Sequence, residues 1–130
     1  MVRFGYTILY VQDVEKSLSF YEAAFGCTRK FITPDGTYGE LLTGETTLSF
    51  ASVAFANSNF NGGFTESRRD AKPFGIEIGF VSDDVEAKLQ NAIAAGGLLV
   101  VELQKKPWGQ QVAYIRDLDG FLVEVCSPME

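Results

Sequence analysis

The sequence predicts an α+β fold of two β-α-β-β-β modules, with the strands forming a curved sheet or half-barrel groove and the helices outside. Three observations carry this reading. The stretch DVEKSLSFYEAAFG, residues 13–26, returns as DVEAKLQNAIAAGG at 84–97. At that offset of 71 residues, Asp13, Val14, Glu15, Leu18, Ala23, Ala24 and Gly26 match Asp84, Val85, Glu86, Leu89, Ala94, Ala95 and Gly97. An alternating apolar run precedes each copy, and three short strand-like runs follow each one. With 130 residues the chain suits one integrated domain, because a half of roughly 55 residues buries too little surface to stand alone.

The first module spans 1–53. YTILYV (6–11) alternates as a half-buried strand does. The helix at 13–26 places Val14, Leu18, Tyr21 and Phe25 on one stripe, starts at the capping residue Asp13 and stops at Gly26. Strands follow at about 27–33, 37–43 and 46–53, punctuated by the turns TPDGT and TGE. Residues 54–73 are rich in Asn, Gly and Ser without sustained period and read as a linker, whose Phe55, Phe60 and Phe64 suggest that it lies over something apolar. The second module spans 74–130. It opens with IEIGFV (76–81), continues with a helix at 84–97 whose stripe is Val85, Leu89, Ile93 and Gly96, and ends with strands at about 98–103, 110–116 and 121–126, separated by KKPWG and DLDG.

Composition narrows the partners. A net charge of −6 repels phosphate backbones, so neither nucleic acid nor an anionic membrane is expected as partner, whereas a neutral aromatic or cationic small molecule suits the charge. No run approaches the roughly 18 apolar residues of a membrane span, and MVRFGYTILYV lacks the features of a signal peptide, which points to the cytoplasm. Cys27 and Cys126 are the only cysteines and read as reduced, largely buried thiols. The chain has no histidine, which excludes a hydrolase triad of the usual kind and leaves neither cysteine an imidazole base. Glycine-rich phosphate cradles are missing too. Arg116, Asp117 and Asp119 in RDLDG are first of all a hairpin signal, and Arg68 and Arg69 read as a solvated pair.

YTILYVQDVEKSLSFYEAAFG, GIEIGFVSDDVEAKLQNAIAAGG and PWGQQVAYIRDLDGFLVEV together resemble the vicinal oxygen chelate superfamily, which contains glyoxalase I, extradiol dioxygenases, and fosfomycin- and bleomycin-resistance proteins. The resemblance covers nearly the whole chain except the linker, and in character it is closest to bleomycin-resistance-like members. Metal-dependent members carry ligands, typically His or Glu, at four strand positions. These match Tyr6, Ser49, Glu77 and Glu124; Glu77 stands twenty residues before Gly97, as Tyr6 does before Gly26. Two of the four positions keep a ligand type and the imidazoles are gone. Transition metals favour imidazole or thiolate, so no such cofactor is expected, and a hydrated divalent ion such as Mg²⁺ is the alternative.

Glu77 alternates with Ile76, Ile78 and Phe80, and Glu124 with Val123 and Val125, so both glutamates are expected to point into the groove while the apolar faces pack on the helices. A similar Pro-Trp-Gly turn recurs in bleomycin-resistance-like members, and Trp108 in KPWG offers a flat face for rings or cations. The leading expectation is therefore a protein that holds an aromatic or cationic small molecule in the inter-module groove, through Tyr6, Tyr10, Ser49, Glu77, Trp108 and Glu124, and is completed as a homodimer. One alternative is a lyase, isomerase or dioxygenase-type enzyme with Glu77 or Glu124 as general base and Tyr6 as proton donor. Another is an accessory protein with a vestigial groove.

Overall fold

In the computed structural model, which describes residues 1–129, YTILYV forms β1 (Tyr6–Val11), with Leu9 and Val11 buried and Tyr6 and Ile8 exposed on the other face. The chain then enters α1 (Val14–Phe25), where the Asp13 carboxylate accepts from the Lys16 amide, and leaves it at Gly26 with φ 70°. Val14, Leu18 and Tyr21 are buried along the expected stripe. Strands β2 (Thr28–Ile32), β3 (Tyr38–Leu42) and β4 (Thr47–Ser52) complete a four-stranded sheet of order β1-β4-β3-β2. β1 runs parallel to β4 and the other pairs are antiparallel. An arginine braces this sheet to its helix: Arg29 on β2 bonds Glu15 and Glu22 of α1, and those carboxylates hold its proton more firmly than usual. These elements belong to a compact unit of Met1–Glu22 and Gly26–Glu66.

The second unit contains Ala23–Phe25 and the chain from Ser67 on. Its elements are β5 (Glu77–Val81), α3 (Val85–Ala94), β6 (Leu98–Lys105), β7 (Gln111–Arg116) and β8 (Leu122–Cys126), in a sheet of order β5-β8-β7-β6. The strand order and the parallel first pair repeat those of the first unit, as the duplicated sequence implies. Val85, Leu89 and Ala92 are the buried residues of α3. Ile93, expected on that stripe, is exposed, because the helix turns Ala92 inward and ends at Ala94, capped by Ala95 before the glycine pair.

The linker departs from the expectation of a structureless stretch. Residues Val53–Asn57 form a short helix, α2, capped by the Ser52 hydroxyl, which accepts from the Phe55 amide. Five residues are too few to display a period, so the pattern in the sequence is silent there. The linker's aromatics do cover something apolar: Phe64 lies 4.7 Å from Tyr10, and Phe60 6.3 Å.

Its distal end is fixed in the second unit by Arg116, which the sequence presented only as part of a hairpin signal. The buried guanidinium donates to the carbonyls of Arg68 (2.7 Å), Arg69 (3.2 Å), Ala71 (2.8 Å) and Gly120 (2.8 Å). Nor are Arg68 and Arg69 merely solvated: Arg68 pairs with Asp70, and Arg69 donates to the Gly96 carbonyl. The hairpin itself forms as expected, with the Asp117 carboxylate accepting from the amides of Asp119 and Phe121. Among the described residues no helix is long and apolar enough to cross a membrane.

Candidate functional site

Period-two alternation puts Glu77, Gly79 and Val81 on the face of β5 opposite Ile78 and Phe80, and Glu124 on the face of β8 opposite the buried Val123 and Val125. Register then decides what meets on this open face. Glu124 pairs with Gly79 on one side and Tyr114 on the other. The Tyr114 hydroxyl donates to Glu124 Oε1 at 2.8 Å. Gly79 leaves open space where a Cβ would stand, so the carboxylate is braced from β7 and free of side-chain crowding on the β5 side.

Glu77 is exposed and lies diagonal to Glu124 in the β5–β8 register. Desolvation, then the neighbouring Glu124 carboxyl through hydrogen bonding and charge, raise its pKa above the ordinary carboxyl value. A proton or a cation between two neighbouring carboxylates relieves their repulsion. The same carboxylate pushes the Tyr114 phenol up to about 12, chiefly through their hydrogen bond and then through burial. Burial, followed by the hydrogen bond and charge of Glu124, also raises the Cys126 thiol, which keeps it protonated. Neither cysteine is in a disulfide among the described residues; Cys126 is buried and Cys27 half-buried.

In the first unit the equivalent positions hold different chemistry. Tyr6 is 53% exposed on β1, while Ser49 is fully buried and donates weakly to the Thr7 carbonyl at 3.4 Å. Opposite Ser49, at the position corresponding to Tyr114, stands Glu40. Glu40 is buried, accepts from the Tyr38 hydroxyl at 2.7 Å and lies 3.7 Å from the Lys30 ammonium. Burial first, then the Glu40 hydrogen bond and charge, hold the Tyr38 phenol above its usual value. Sequence reading missed Tyr38, Glu40 and Tyr114. The signal was present in YGELL and QVAYIR, where Tyr38 and Glu40 alternate with Gly39 and Leu41, and Tyr114 with Ala113 and Ile115.

The four superfamily ligand positions do not fit a transition-metal site. Tyr6 and Ser49 are neutral oxygen donors, the Ser49 hydroxyl is buried against the Thr7 carbonyl, and one Glu124 oxygen is taken by Tyr114. Among the described residues no three His, Cys, Asp or Glu side chains gather as a metal set.

Trp108 stands apart from the glutamates. It is 64% exposed in the turn between β6 and β7, and its indole N–H donates to Gln110 Oε1 at 2.9 Å. Gln110 Nε2 in turn donates to the Ser127 carbonyl at 2.9 Å, which orients the ring. Trp108 lines a cavity of about 800 Å³ with Lys105, Gln110, Gln111 and residues 127–129, and neither Glu77 nor Glu124 borders it. The structure thus sets Glu77 diagonal to Glu124 on one sheet face, keeps Trp108 separate, and places Tyr10 under the linker aromatics.

The sequence profile of the glyoxalase-like domain matches residues 4–130. The chain belongs to the glyoxalase-like family. Solved structures agree on the fold. A glyoxalase-related enzyme from Fulvimarina pelagi superposes with a TM-score of 0.83 at 21% identity, covering 98% of this chain and 89% of its own. A glyoxalase/bleomycin resistance protein/dioxygenase family enzyme from Burkholderia phytofirmans gives 0.78 at 18% identity, covering 97% and 98%. A lactoylglutathione lyase from Agrobacterium tumefaciens gives 0.71 at 20% identity, covering 99% and 96%. No curated protein matches the chain. The expected membership of the vicinal oxygen chelate superfamily is thereby established, and so is the α+β fold with two four-stranded mixed sheets.

Proposed function

We propose that the protein binds a small aromatic or cationic molecule on the open faces of its sheets, in the manner of a bleomycin-resistance-like binding protein rather than of a metalloenzyme. The observation that carries this reading is the Glu77–Glu124 pair with Tyr114 as its brace. An opposite charge about 4 Å from one carboxylate gains roughly 4 kcal/mol at an effective dielectric near 20, before desolvation is subtracted. The open space over Gly79 leaves room for an ammonium or another donor group beside both carboxyls. On the first sheet, Tyr6 supplies an exposed ring face and Tyr10 one partly covered by Phe64.

The test is a calorimetric titration with matched aromatic cations, neutral aromatics and aromatic anions. The reading expects cations to bind at least several-fold more tightly than their neutral counterparts. Equal binding of all three classes, or binding of none, would remove it.

A second reading, favoured by the raised pKa of Glu77, is proton transfer. Two neighbouring carboxyls, one of them with its pKa raised chiefly by desolvation, can serve as an acid–base pair. In that reading Glu77 donates and Glu124, fixed by Tyr114, accepts. Turnover of a bound substrate that Glu77→Gln abolishes without loss of binding would favour it.

A further inference from the structure

We propose that residues 58–66 are an internal strap whose Phe64 ring occupies, on Tyr10, the place of a ligand's aromatic ring, so that binding displaces the strap. The inference rests on the reading of the first sheet's tyrosines as ring-binding residues. Tyr10 alternates with Leu9 and Val11, whose side chains are buried, and therefore lies on the same face as Tyr6 and Ile8. Tyr6 and Ile8 are exposed, but Tyr10 is half-buried, and what packs on it is Phe64, at 4.7 Å and 55°, with Phe60 beside it. Phe60 and Phe64 meet edge to face at 6.1 Å, so the strap presents a two-ring surface to one tyrosine.

The segment is built to detach. Within 58–66 only Phe64 is half-buried, and every other residue is exposed. Gly62 and Gly63 both have left-handed φ, 86° and 68°, a backbone open to rearrangement at small steric cost. Both flanks are fixed: the Ser58, Asn59 and Phe60 amides bond back to Phe55, Ala56 and Asn57 of α2, so the free span begins after Phe60, and from Arg68 the chain enters the Arg116 carbonyl cage. Gln12 donates to Glu66 at 2.8 Å, an exposed bond that water replaces readily. Releasing the strap uncovers two aromatic faces, and an incoming flat ring restores that contact on Tyr10.

The test uses the full chain and acriflavine, a fluorescent aromatic cation, titrated by anisotropy. Phe64→Ala is expected to tighten binding about fivefold or more, and Tyr10→Ala to weaken it. In the Tyr10→Ala background, Phe64→Ala should then add nothing. Hydrogen exchange on the wild-type chain should show 58–66 exchanging faster when acriflavine is bound. That measurement decides the matter even where a variant folds poorly. Unchanged or weaker binding by Phe64→Ala, or added protection of 58–66 on binding, would overturn the strap while leaving the binding reading in place. Acriflavine binding to none of the proteins would overturn both.

Discussion

Arg116→Met should destabilise the protein more than any surface substitution, because the side chain is 8% exposed and its guanidinium serves four backbone carbonyls. Hydrogen bonds from a charged donor contribute about 1.5–3 kcal/mol each, but returning the guanidinium to water recovers much of that sum. The methionine variant leaves buried carbonyls without their donor at about 1–3 kcal/mol each, reduced where water reaches them, so a total of about 3–5 kcal/mol is expected. For a chain of this size it corresponds to a melting temperature lower by roughly 10–20 °C. Thermal unfolding followed by circular dichroism, with urea midpoints as a check, measures it.

Two further variants serve as controls. Arg116→Lys keeps the charge, but its three donors cannot serve all four carbonyls, so it should fall in between. Gly120→Ala would set a Cβ 2.7 Å from the Arg68 carbonyl and 2.8 Å from the Arg116 guanidinium, and should approach the Met variant without touching the arginine. A loss below about 1 kcal/mol for Arg116→Met, or a lysine variant as stable as the wild type, would refute the cage as a structural centre.

Glu77 makes stability depend on pH. Its raised pKa means that the folded chain binds this proton more tightly than the unfolded chain does. The contribution is therefore complete below the ordinary carboxyl value and is lost as pH rises through the raised one. Urea midpoints between pH 4 and 8 should show this slope in the wild type and a flatter one in Glu77→Gln. Tyr114→Phe removes the brace at 2.8 Å and should weaken aromatic cations about threefold to tenfold, by the roughly 1 kcal/mol of a part-exposed hydrogen bond, while neutral aromatics are unaffected. The same variant should lose the tyrosine absorbance step near pH 12.

Much of the fold was legible because duplication and period reinforce each other. DVEKSLSFYEAAFG and DVEAKLQNAIAAGG announced α1 and α3, and the alternation in YTILYV and FLVEVC sorted helix-facing from open-face residues. Matching Tyr6 with Glu77 and Ser49 with Glu124 also survives in the strand registers. What the sequence hid was contact across distance. Nothing local says that Arg116 reaches carbonyls more than forty residues away, or that Tyr114 and Glu124 are paired across β7 and β8. A hairpin motif and a structural arginine coincide in RDLDG, and only the hairpin has a local signature. Trp108 and the glutamates looked alike as groove candidates, but strand register carries Glu124 to the middle of β8 and leaves Trp108 beyond the end of β6.

The most direct test of the carboxylate face is the double variant Glu77→Gln, Glu124→Gln, which keeps the shape and removes the charge, titrated calorimetrically against an aromatic cation and its neutral isostere. Cation affinity is expected to fall at least tenfold, with the neutral compound unchanged. Cation affinity equal to that of the wild type would contradict it.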